Sequence, residues 1–127
     1  MTTRTRRPPG VRGRATADGT LRYTARFQDG FAADFYRSIT GGPHVSSIGI
    51  GTYLGECDDS EDDRYAAAVN HALEQGINLV DSAINYRCQR SERAVGRALR
   101  SAIESGAVSR EEIVVCTKGG YVPLDGQ

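Results

Sequence analysis

Gly76-Ile77-Asn78-Leu79-Val80-Asp81-Ser82-Ala83-Ile84-Asn85-Tyr86 decides the fold of this chain. Ile77 to Val80 is a short apolar run of the kind that makes a strand buried in a parallel sheet. The run stops at an acid, and a phenol follows in the next loop. Further along, Ile113-Val114-Val115 forms a second such run and ends in Cys116-Thr117-Lys118. An acid, a phenol and an amine therefore gather at the ends of neighbouring strands. Lys118 is the only lysine, against fifteen arginines. An amine can lose its proton and a guanidinium cannot, so the two are not interchangeable at a reacting centre. A preference for arginine codons accounts for the other fifteen cations, but not for the position of the one exception.

Between and before these runs lie two helical patterns. Tyr65, Ala68, Val69, Ala72 and Leu73 recur at the spacing of one helix face, with Ser60 and Asp63 as a capping box and Gly76 as the stop. Val95, Ala98, Leu99, Ala102 and Ile103 repeat the spacing, with Ser91 as the cap and Gly106 as the stop. Ser109-Arg110-Glu111-Glu112 caps one more short turn before the strand at Ile113. Upstream, Phe35-Tyr36-Arg37-Ser38-Ile39, Gly41-Gly42-Pro43 and Val45-Ser46-Ser47-Ile48 read as a hairpin. Ile48-Gly49-Ile50-Gly51-Thr52 is then a strand stripped of side chains, as where a backbone approaches something closely. The order hairpin, strand, helix, strand, helix, strand predicts an α/β fold with a parallel sheet and helical crossovers. Three such strands are too few to close a barrel, and they leave two long apolar edges.

Composition narrows the class. Sixteen basic residues balance sixteen acidic ones in 127 residues, which fits neither a polyanion binder nor a disordered chain. No apolar run approaches the roughly 18 residues that span a bilayer, and the first residues have no apolar core that would make a secretory signal. Neither a membrane nor a nucleic acid is an expected partner. Cys57, Cys88 and Cys116 are odd in number, widely spaced and without a C-x-x-C, which argues against a disulfide framework or a metal site and for a reducing, cytoplasmic setting. Cys116, at the end of an apolar strand, reads as a small core residue. Residues 1–30 read as an arginine-rich extension without a core: Met1 to Arg14 holds five arginines, two consecutive prolines and no acid. Residues 31–127 hold the ordered domain.

In a β/α barrel the chemistry collects at the C-terminal strand ends and the loops after them. Gly51-Thr52-Tyr53, Asp81 to Tyr86 and Thr117-Lys118 all occupy that position. A carboxylate beside an ammonium keeps both charged, and a phenol beside that ammonium is made more acidic than its usual value of about 10. Such a tyrosine suits the role of general acid to a developing alkoxide. Making an alkoxide from a carbonyl takes hydride, which no side chain supplies and a nicotinamide does.

These residues resemble the N-terminal part of an aldo-keto reductase, which implies that the three strands are the first of a (β/α)8 TIM barrel, here incomplete. Phe35 to Gly55 resembles that family's opening hairpin, which plugs the barrel floor, running into its first strand. Gly76 to Ala83 with Tyr86 resembles its signature, Ser91-Glu92 the opening of its second helix, and Thr117-Lys118 the end of its third strand. The resemblance runs from residue 35 to 126 without a large gap. It implies that Tyr86 is the proton donor, that Lys118 tunes it, and that Asp81 holds the lysine. It further implies that Gly51, Thr52, Tyr53 and Asp81 lie against a bound NADPH or NADH, and that the substrate is a small carbonyl compound or alcohol.

Two departures from the family stand out. Arg87-Cys88-Gln89-Arg90 replaces a glycine-rich turn, either placing two arginines at the pocket mouth or leaving both solvated. The family's catalytic histidine belongs on the next strand: His44 sits in the expected hairpin turn and His71 off the apolar helix face, so neither replaces it. The 127-residue chain on its own is accordingly expected to be inactive. The alternative reading is a non-catalytic fragment or scaffold subunit of the same fold, with a protein partner covering the open sheet edges.

Overall fold

The computed structural model describes residues 9–121 and 123. The first eight residues of the expected solvated tail, and the end of the chain, lie outside the described residues. The elements are α1 (Ala17–Phe27), β1 (Tyr36–Ser38), β2 (His44–Ser46), β3 (Ile50–Gly51), α2 (Asp59–Glu74), β4 (Leu79–Asp81), α3 (Arg90–Glu104) and β5 (Val114–Cys116). β1 and β2 form the expected antiparallel hairpin, and β3, β4 and β5 a parallel sheet in that order. The helical crossovers pack together on one face of the sheet, so this is an α/β fold. Val69, Leu73, Val80, Leu99 and Ile113 fill the space between helices and sheet, each buried aliphatic contributing about 2 kcal/mol.

Both crossover helices appear where their periodicity places them, with corrections at their starts. The cap of α2 is Asp58, whose carboxylate accepts from the Glu61 N–H at 2.8 Å, rather than Ser60. The buried residues of α2 are Ala66, Val69 and Leu73; Ala68 faces solvent. The cap position of α3 is Gln89, and Ser91 lies inside the helix. Ser109 and Glu112 make the expected capping box around a 3-10 turn, Arg110–Glu112.

Residues 1–30 are not uniformly without structure: Ala17–Phe27 is a helix, capped by the Thr16 hydroxyl on the Gly19 N–H at 2.9 Å. Its buried face is Gly19, Thr20, Tyr23 and Thr24. This stripe contains no aliphatic residue, which is why a search for apolar periodicity passes over it. The threonine hydroxyls satisfy themselves on carbonyls of their own helix, Thr20 on Thr16 and Ala17, and Thr24 on Leu21. Tyr23 is fully buried and donates to the Leu73 carbonyl at 2.5 Å; burial pushes its phenol well above the ordinary value. At Gly19 the helix meets the chain before β5 so closely that a Cβ would stand 2.4 Å from the Glu111 carbonyl oxygen.

α1 and the hairpin both sit at the end of the sheet where β4 enters. Asn78, fully buried just before β4, ties this end together. Its side-chain oxygen accepts from the Ser46 N–H at 3.0 Å, and its amide donates to the His44 and Glu112 carbonyls at 2.9 and 3.2 Å. His44 is thus in a strand rather than in the turn, with its Nδ1 3.0 Å from the Ser38 hydroxyl. The Glu112 carboxylate is buried against Arg26 of α1 at 2.6 Å. Burial pushes this carboxyl up, but hydrogen bonds from Arg26 and the Ser109 N–H outweigh it and hold it below the usual range.

Candidate active site

The pleat decides which side chains meet at the other end. Ile50 pairs with Val80 and Gly51 with Asp81; Val80 in turn pairs with Val115 and Asp81 with Cys116. Alternate residues of a strand point to opposite faces. Ile50, Val80 and Val115 turn to the helices, leaving Gly51, Asp81 and Cys116 on the uncovered face. Cys116 is therefore exposed, not the core residue its apolar neighbours suggested. Tyr53 and Lys118 follow two residues past Gly51 and Cys116, on the same side.

The Lys118 ammonium donates to both carboxylate oxygens of Asp81, each at 2.9 Å, and to the Ser82 carbonyl at 2.7 Å. Its Nζ stands 4.9 Å from the centre of the Tyr86 ring, within the range of a cation–π contact. Tyr53 meets Tyr86 edge to face, with ring centres 5.0 Å apart. Hydrogen bonding to Asp81 raises the Lys118 pKa, weak burial opposes it, and Tyr86 adds to the rise. The amine stays a cation at neutral pH. The pairing of β4 with β5 continues past both strands, through Ser82 N–H to the Cys116 carbonyl at 2.8 Å and Ile84 N–H to the Lys118 carbonyl at 3.2 Å. That extension carries the amine up to the tyrosine loop.

Of the other residues singled out, Gly51 has open space where a Cβ would stand, and Tyr53 is largely exposed. Thr52 is turned inward: it is fully buried, and its hydroxyl donates to the Asp81 carbonyl at 3.0 Å beside the Ser82 hydroxyl. The Thr52 carbonyl accepts from the Ser91 hydroxyl at 2.5 Å, so that serine fastens the start of α3 to the strand end instead of capping its own helix. Thr117 likewise hydrogen-bonds Glu92. Ser82 had no assigned role, although a small hydroxyl directly after a strand-end acid was visible.

The two arginines after the tyrosine do not line a pocket mouth, nor is Arg87 solvated. Its guanidinium is buried and donates to the Glu56 carbonyl at 3.0 and 2.8 Å, and its Nη2 pairs with Asp62 at 2.7 Å. Arg90 pairs with Asp59 and Asp62 at 2.9 and 2.7 Å. Arg87, Cys88 and Gln89 all adopt the left-handed region, with φ of 49, 55 and 69°. Glycine takes that conformation freely; here the Arg87 anchor offsets the strain. His71 is exposed on α2, and His44 lies at the opposite end of the sheet, so neither approaches Tyr86.

A model of the aldo/keto reductase family matches residues 47–126, which include every one of these strand-end residues. The chain belongs to the aldo/keto reductase family. Among its curated relatives, a Mycobacterium sp. (strain MCS) aldo-keto reductase is 38% identical over 81 residues, covering 64% of this chain and 24% of that one. The mouse aldo-keto reductase family 1 member D1 is 34% identical over 68% of this chain and 25% of its own length. The 2,5-diketo-D-gluconic acid reductase B of Corynebacterium sp. (strain SHS752001) is 33% identical over 64% of this chain and 25% of its own. The chain spans about a quarter of the length of these relatives. As a member of the aldo/keto reductase family it carries the charged pair and the tyrosine on the sheet face away from the helices, at the ends of the parallel strands. Among the described residues, no helix is long and apolar enough to cross a membrane, and no group of three or more His, Cys, Asp or Glu could hold a metal ion.

Proposed function

We propose that this chain supplies the proton-donating side of an oxidoreductase site that reduces an aldehyde or ketone with hydride from NADPH, or NADH. The observation that carries the reading is the Lys118 ammonium, held by Asp81 at 2.9 Å and standing 4.9 Å from the Tyr86 ring. A fixed cation beside a phenol stabilises the phenolate left after proton donation, the effect required of a general acid acting near neutral pH. Asp81 positions that cation. Its second effect is to balance the charge, so the rim stays close to neutral before a substrate arrives.

The residues present fit the nicotinamide end of such a cofactor. Gly51 leaves open space on the uncovered face, Tyr53 offers an exposed ring, and Asp81 offers carboxylate lone pairs to a ribose hydroxyl. When bound, the cofactor supplies the hydride. Tyr86 gives the proton to the carbonyl oxygen, Lys118 holds the charge that develops on the phenol, and Tyr53 keeps water from one side of the Tyr86 ring. The three strands are read as part of an eight-stranded barrel whose remaining strands complete the pocket. The exposure of Tyr53 and Cys116 on the open face supports a further element, in this polypeptide or a partner, covering it.

The test is NADPH oxidation with a simple aldehyde, on the endogenous protein captured through residues 60–110. Tyr86→Phe is expected to cut kcat/KM by about 10² to 10⁴-fold with NADPH binding retained. Unchanged turnover in Tyr86→Phe would overturn the assignment. The 127-residue polypeptide alone is expected to show negligible turnover.

A further inference from the structure

Cys57 and Cys88 lie 31 residues apart in the chain and in two different loops, yet their sulfur atoms are 3.0 Å apart. The loop after β3 carries Cys57, and the loop after β4 carries both Tyr86 and Cys88. We propose that Cys57 and Cys88 form a dithiol site that oxidises to an intramolecular disulfide, clamping the tyrosine loop to the loop after β3.

Three observations carry it. The sulfurs are already closer than ordinary van der Waals contact between two sulfur atoms, and a disulfide requires them to approach by only about 1 Å more. Arg87, next to Cys88, donates to the carbonyls on both sides of Cys57: Glu56 at 3.0 and 2.8 Å, and Asp58 at 3.4 Å. The buried guanidinium thus sets the register of the two loops independently of the sulfurs. The left-handed run at Arg87, Cys88 and Gln89 folds the chain back at this point, a conformation that residues with side chains adopt only when the surroundings impose it. Cys57 is exposed, so an oxidant in solution reaches the pair. Cys116 is exposed as well, but on the uncovered face of β5, and serves as an internal control.

Oxidised glutathione is the oxidant in the test. One thiolate attacks it, forming a mixed disulfide and releasing one reduced glutathione. The second thiolate then displaces a second reduced glutathione. Two thiols lose two protons and two electrons, and the glutathione disulfide is reduced to two thiols. The site does not depend on the reductase reading. Its consequence for that reading is direct, because Tyr86 lies between the strand and the clamp.

The experiment oxidises the chain at mildly alkaline pH with a series of reduced-to-oxidised glutathione ratios, then alkylates, digests with trypsin and weighs the peptides. The expected product joins Ser38–Arg64 to Cys88–Arg90, with Cys116 alkylated or glutathionylated. In denaturant the three cysteines pair without preference, and the native 57–88 disulfide should survive at a glutathione ratio at least tenfold more reducing than any pair formed there. Amide exchange of residues 84–90 should slow on oxidation. Mixed pairings in the native protein, or two glutathione adducts on Cys57 and Cys88 with no linked peptide, would overturn the proposal.

Discussion

Asn78 enters β4 and Asp81 ends it, and the strand holds these two polar side chains in opposite ways. At the entry, Asn78 is fully buried and bonded to β2 and to the turn before β5. Tyr23, Glu112 and Tyr36 around it are likewise bonded to partners far away in sequence, and burial pushes the Tyr36 phenol up to about 12. At the exit, Asp81 and Lys118 are 47 and 49% exposed, and they hold each other and one carbonyl. The contrast is physical. A buried polar group must be paired or it costs about 1–3 kcal/mol, so the entry end is over-determined. Thr52, Ser82 and Ser91 at the exit are buried and paired as the entry is. Half-exposed charges, by contrast, are screened by water and contribute little to stability, so the Asp81–Lys118 pair is free to be arranged for chemistry.

The contrast can be broken most sharply at its centre. Asn78→Leu strands the Ser46 N–H and the His44 and Glu112 carbonyls, and is expected to cost about 4 kcal/mol or to prevent folding, by urea denaturation. Gly19→Ala drives a methyl into the Glu111 carbonyl and should cost about 2 kcal/mol. A wild-type midpoint in that variant would show that α1 is not docked as described.

Glu112 sharpens the comparison through pH. Its folded pKa is held below the unfolded value, so its contribution is complete above the ordinary carboxylate range and is lost as pH falls through the lower folded value. Arg26→Ala should remove about 1 kcal/mol near neutral pH, the exposure of Arg26 allowed for, and shrink the loss seen on acidification. The smallest effect belongs to the exit end. Lys118→Met should leave the urea midpoint unchanged within error while abolishing carbonyl reduction in the active protein. The Lys118 pKa is raised, so its slight contribution is present at neutral pH and fades only as pH rises through that raised value. A marked loss of stability in Lys118→Met would erase the distinction between the two ends.

Much of this architecture was legible in the residues. Apolar runs bounded by turn residues located the hairpin and the parallel strands, and helical periodicity located α2 and α3. Strand-end position, the solitary lysine and the family resemblance singled out Asp81, Tyr86 and Lys118, because chain order places the residues that follow parallel strands at one end of the sheet. Legibility failed where burial was achieved without aliphatic side chains. The buried stripe of α1 is glycine, threonine and tyrosine, residues that score as polar until a carbonyl on another element accepts the phenol.

Local pattern thus determined which segments are strands and helices and which acid, phenol and amine stand at their ends, since those follow from side-chain period and chain order. Only the tertiary structure decided that Thr52 turns inward, that Cys116 faces outward, that Arg87 is an internal anchor, and that Cys57 meets Cys88. Each of these depends on which loop lies across from which. That is set by the packing of segments distant in the chain, and no pattern within either segment encodes it.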